Sequence, residues 1–171
     1  MSLASSFEAS WPDLAPTPVA VPPALTDLYA TLASGSNSRR SAILWASPAS
    51  YAAGLQWAAH GLGLAPRHLG RAVVAACEAQ GTQRVPRIGA LLWQHVLAVH
   101  AATGPAGTWL AGLDALLLHL PSAERAFFWH SLWELRQHPP LLLVLPEAFR
   151  DVGPTDPGRW LTADPPRGLH L

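Results

Sequence analysis

The sequence predicts a three-layer α/β domain with a small, mostly parallel sheet and helices on both faces. Three observations predict it. The apolar runs Ile43-Leu-Trp45 and Leu141-Leu-Leu-Val-Leu145 are strand-length and uniformly hydrophobic, as strands covered on both faces are. Segments with one-sided apolar stripes at helical spacing alternate with them. Pro and Gly punctuate nearly every junction. Three or four core strands are expected.

Each element has its own signal. Residues 1–23 hold Pro12, Pro16, Pro18, Pro22 and Pro23 among Ser and Ala, and read as an extended arm before a single domain over 24–171. Leu25, Leu28, Tyr29 and Leu32 form a helical stripe that Gly35 ends. Ile43-Leu-Trp45 is a strand. Ser47 then offers an N-cap and Pro48 a first helical residue, with the helix reaching about His60. Residues 66–80 read as a helix on Leu69, Val73, Ala76 and Cys77, with a short strand at Val73-Val74 as the other reading. Ile88, Leu91, Leu92, His95, Val96 and Val99 mark a further helix, and residues 107–114 a strand with Asp114 at or beyond its end. Ser122 caps a helix bearing Phe128, Leu132 and Leu135. Beyond Leu145 the chain reads as loop, with one short edge strand at Arg159-Trp-Leu-Thr162.

Composition bounds the function. The 171 residues are 50% hydrophobic and 13% charged, which fits a packed core and not a disordered chain. No apolar run approaches the roughly 20 residues of a spanning helix, and no membrane partner or leader peptide is expected. The single cysteine, Cys77, excludes an internal disulfide and suits a reducing cytoplasm. Net charge is zero, so any nucleic-acid contact is weak or local. Low charge beside eight tryptophans points to an apolar surface covered by a partner protein.

The strand–turn–helix at 41–55 stands where a phosphate-binding loop would lie. Such a loop needs glycines for close backbone approach and a lysine on the outer phosphates. Here Ser47, Pro48, Ser50 and Tyr51 fill it, and all eleven basic residues of the chain are arginines. A biased codon composition is one of two readings of the absent lysines, and it does not account for the absent loop glycines. No arginine lies between Arg40 and Arg67 to replace the lysine. Asp114 follows an apolar strand, as a metal-anchoring acid does, or caps a turn. ATP with Mg²⁺ is therefore disfavoured, and no cofactor is expected. The histidines lack zinc-ligand spacing; His95 and His100 are five apart and do not share a helix face. No catalytic constellation stands out. Arg39, Arg40, Arg84 and Arg87 are candidate nucleic-acid contacts. Trp11, Phe127, Trp129 and Trp133 are candidate partner-facing aromatics.

The order of these pieces resembles BrxF, the small P-loop protein of BREX phage-defence systems. The likeness runs from Ile43 to the C-terminus. It rests on the strand–loop–helix at 43–60, on Leu64-Ala-Pro-Arg-His-Leu-Gly-Arg71 and on Thr82-Gln-Arg-Val-Pro-Arg-Ile88. It continues through Leu113-Asp-Ala-Leu-Leu-Leu118, Leu132-Trp-Glu-Leu-Arg136 and Trp160-Leu-Thr-Ala-Asp-Pro165. It implies a RecA/P-loop-like fold with a degenerate phosphate loop. The implied role is that of a non-hydrolysing subunit among the proteins of a defence or DNA-processing complex. Ile43-Leu-Trp45, Tyr51-Ala-Ala-Gly-Leu55 and Gly63-Leu-Ala-Pro-Arg-His-Leu69 are also similar to the SulA/ImuA branch of RecA-like proteins. That branch works through protein contacts in DNA-damage responses. It implies a strand at Val73-Val74, whereas the BrxF likeness implies a helix there.

Overall fold

The structure, a computed structural model, describes residues 20–35, 38–82, 84–136 and 139–171. Trp11 and the expected arm up to residue 19 lie outside them. The elements run α1 (Pro23–Ala33), β1 (Ser41–Ala46), α2 (Pro48–Gln56, continued by a π-helix over Trp57–Leu62) and β2 (Ala65–His68). Then come α3 (Leu69–Ala79), α4 (Gly89–Ala101), β3 (Thr108–Ala111), α5 (Asp114–Leu118) and α6 (Ser122–Trp133). The chain closes with β4 (Leu141–Pro146), a 3-10 turn (Glu147–Val152), α7 (Pro157–Leu161) and β5 (Gly168–His170).

Among the described residues, five strands form one parallel sheet in the order β2-β3-β4-β1-β5. The hydrophobic runs identified in the sequence are its centre: β1 pairs with β4 from Ser41↔Leu141 to Ala46↔Pro146. Alternation along β1 splits the core in two. Ile43 and Trp45 face α3, α4, α5 and α6 through Leu69, Val96, Leu117 and Phe128. Ala42, Leu44 and Ala46 face α1 and α2, through Leu25, Leu28, Leu32 and Ala58. All these strand residues are at most 2% exposed. Val21 packs on the second face, so the end of the expected arm belongs to the domain.

Four expectations need correction. Residues 65–68 are a strand that the sequence reading gave to a helix or loop. Pro66 obscures it, yet β2 is at the sheet edge, where a missing N–H is tolerated. Residues 159–162 are not an edge strand. Asp156 accepts a hydrogen bond from Arg159 N at 3.1 Å and Pro157 sits at the helix start, so a capped turn of helix forms there. The edge strand is Gly168–His170, beside β1. Finally, Ser122 opens α6 after Pro121 and its hydroxyl makes no capping bond. The sheet also holds one strand more than the largest number expected. Over 70–77 the chain is helical, as the first reading had it. Among the described residues no helix is long and apolar enough to cross a membrane.

Candidate functional site

In open parallel sheets, ligands sit beyond the carboxyl ends of strands whose connections leave to opposite faces. Here β1 leads into α2 on one face, while β4 leads into the 3-10 turn on the other. The loop after β1 therefore occupies the expected position. Ser47 caps α2, its hydroxyl accepting from Ser50 N at 3.3 Å and donating to Ser50 Oγ at 3.0 Å. Pro48 has no N–H. Ser47 N donates to Leu171 O at 2.9 Å, and Leu171 N donates to Trp45 O at 2.8 Å. The segment after β5 thus lies along the end of β1, where a phosphate would need the loop backbone. Of the groups in a phosphate cradle, the N–H groups of Ser47 and Ser50 are engaged and that of residue 48 does not exist.

Tyr51 closes the same region from the first turn of α2. Its hydroxyl accepts a hydrogen bond from Gly112 N at 3.3 Å, joining the loop to the end of β3. Burial, helped by the Asp114 charge, raises the Tyr51 pKa despite that bond. Gly112 has φ +72°, and a Cβ there would meet the His68 imidazole. The ring of His68 thus lies against bare backbone at the end of β2. Its Nδ1 accepts from Arg71 N at 3.3 Å and caps α3. Burial, then the nearby Arg71, lowers the His68 pKa. Tyr51, Ala52, Leu55, His68, Arg71, Trp109 and Ala111 line a cavity of about 280 Å³. Gly54 lets α2 approach: a Cβ there would lie 2.5 Å from the Trp109 ring.

Asp114 opens α5, three residues beyond β3, in the first turn of a helix. That is a helix-terminal role, where a carboxylate favours the local dipole. His68 and Arg71 were missed as site residues in the sequence. Their only signal was position, at and just beyond the end of a strand that was itself hidden by Pro66.

The four arginines selected from the sequence are not brought together. Arg40 is buried, 6% exposed, and donates to Leu32 O, tying β1 to the end of α1. It is therefore a structural residue and not an exposed nucleic-acid contact. Arg39 bonds Glu134 Oε1 at 3.0 Å. Arg84 and Arg87 are exposed on the connection between α3 and α4. The aromatic group divides as well. Trp129 is 4% exposed and donates to Val152 O at 2.9 Å, Trp133 is 6% exposed, and Phe127 alone of the three stands out, at 48%. As partner-facing residues Trp129 and Trp133 are thus corrected to core: each bulky ring is covered by its own domain.

Compared with protein-family models, curated proteins and solved structures, the chain matches none of them. The fold and the site's geometry therefore carry the functional reading.

Proposed function

We propose that this chain is a non-catalytic, P-loop-like subunit that assembles with partner proteins in a bacterial phage-defence complex of the BREX type. The occupied loop is the observation that carries this reading. Ser47 N is bonded to Leu171 O, Pro48 lacks an N–H, Ser50 N is capped, and Tyr51 bridges to Gly112. Phosphoryl transfer depends on positioning and charge neutralisation, and this loop supplies neither a cradle nor a cation. Helix α3 over 69–79 is the arrangement the BrxF likeness implies, and Val73 and Val74 lie within it. The SulA/ImuA likeness implies a strand there, so it is the weaker reading.

Assembly draws support from apolar side chains left outside on the α3–α6 side. Val74 is 50% exposed, Ile88 50%, Leu91 44%, Leu118 55% and Phe127 48%. A chain with only 13% charged residues keeps such positions soluble most readily by covering them.

Two measurements test the proposal. Tagged chain purified from its host should co-elute at fixed stoichiometry with defence-complex subunits identified by mass spectrometry. A Leu91→Asp/Phe127→Asp variant with unchanged circular dichroism should lose them. Recovery of the chain as a lone monomer would overturn the assembly role. Labelled ATP, with and without Mg²⁺, should show no binding. Micromolar binding abolished by Asp114→Ala would reverse the non-catalytic reading.

A further inference from the structure

At the amino-terminal end of β1, opposite the degenerate loop, three guanidiniums converge on one indole. Arg159 lies 4.0 Å from the Trp133 ring centroid, Arg167 4.2 Å and Arg39 5.0 Å. Arg167 is 2% exposed. Its Nε donates to Ser41 O at 2.8 Å, and its Nη2 donates to Ser41 Oγ at 2.6 Å and to Trp133 O at 3.0 Å. Its Nη1 is buried without an acceptor among the described residues. Arg39, Arg159 and Arg167, with Trp133, Thr162 and Asp164, line a cavity of about 340 Å³.

A structural role explains part of this group. Arg167 ties β1 to the end of α6, and cations favour indole faces. It does not explain three like charges around one ring. Glu134 is engaged with Arg39 at 3.0 Å and Arg136 at 3.5 Å. Asp164 makes no ion pair among the described residues. Burial first, then the Arg39 charge, with a smaller share from Arg159, draws the Arg167 pKa down to about 9 against the pull of Glu134. A buried donor without an acceptor is a costly feature that a ligand oxygen would relieve.

We propose that this cavity binds a phosphate group, held by the guanidiniums of Arg159, Arg167 and Arg39. Planar guanidinium forks suit phosphate oxygens. The volume falls in the range of small-ligand sites, so the phosphate is either free or borne by a small organic monoester. This site does not depend on the degenerate loop or on assembly.

The test is titration of the full chain with inorganic phosphate, 5′-AMP and adenosine at constant ionic strength, read by tryptophan fluorescence and thermal melting. Saturable binding of phosphate or AMP, absent for adenosine, is expected. Arg159 is exposed, so Arg159→Gln should fold normally and weaken binding about tenfold or more. Arg71→Gln, in the other cavity, should leave binding unchanged. AMP binding at least as tightly as phosphate assigns an organic monoester; tighter phosphate assigns the free ion. No saturable binding, equal binding of adenosine and AMP, or a response unchanged in Arg159→Gln would each overturn the proposal.

Discussion

Gly112 shows how a single residue decides the geometry of the carboxyl-end region. Its φ of +72° lies where side chains are strained, and the His68 ring occupies the space a Cβ would take. Gly112→Ala should destabilise the chain by roughly 1–3 kcal/mol, measured by urea unfolding. The loop residues should behave differently. Ser47→Ala removes the cap on Ser50 N and should cost about 1 kcal/mol, with co-elution of partners unchanged. Tyr51→Phe leaves Gly112 N without its acceptor and should cost about 1–3 kcal/mol. Loss of partner binding in Ser47→Ala, at unchanged fold, would show that the loop has a function beyond capping.

At the scale of elements, α1 is the lid of one core face. Leu25, Leu28 and Leu32 are buried against Ala42, Leu44, Leu142 and Val144, and Tyr29 Oη donates to Ala106 O at 2.8 Å. Leu32→Ala leaves a cavity over the sheet and should cost about 2–5 kcal/mol in chemical denaturation. Asp27→Ala, on the exposed side of the same helix, should change stability by less than about 0.5 kcal/mol. Equal effects would mean that α1 is not docked as described. This helix was legible in the sequence because its stripe is local. So were β1, β4 and the capped start of α2. The strand β2 and the helix α7 were not: Pro66 disguises the first, and tertiary pairing at an edge overrides that local bias. The cap on α7 is local too, but it is only one turn long and carries little periodic signal.

Stability against pH belongs to the whole molecule. His100 is 5% exposed, with Nδ1 2.7 Å from Thr108 Oγ1, and burial lowers its pKa. His68 is lowered as well. A base whose folded pKa is depressed binds protons more readily unfolded. Its stabilising share is therefore present above the unfolded value of about 6.5 and lost as pH falls below it. Unfolding free energy should drop between about pH 7 and pH 5, and the drop should shrink in His100→Gln. A drop of the same size in that variant would place the pH dependence elsewhere. The purified chain should also show no ATP or GTP turnover, because nothing in the loop positions an outer phosphate.

From the sequence alone came the α/β class, the two central strands, the capped start of α2 and the absence of loop glycines and lysine. These depend on periodicity, on capping chemistry and on residue identity, all of which act over a few neighbours. The tertiary structure decided the strand order, the placement of Leu171 across the end of β1, the burial of Arg40, Trp129 and Trp133, and the gathering of Arg39, Arg159 and Arg167 around Trp133. The Leu171–Ser47 and Arg167–Ser41 pairings join residues more than a hundred positions apart. Their physical cause is the parallel sheet, which sets distant strand ends side by side.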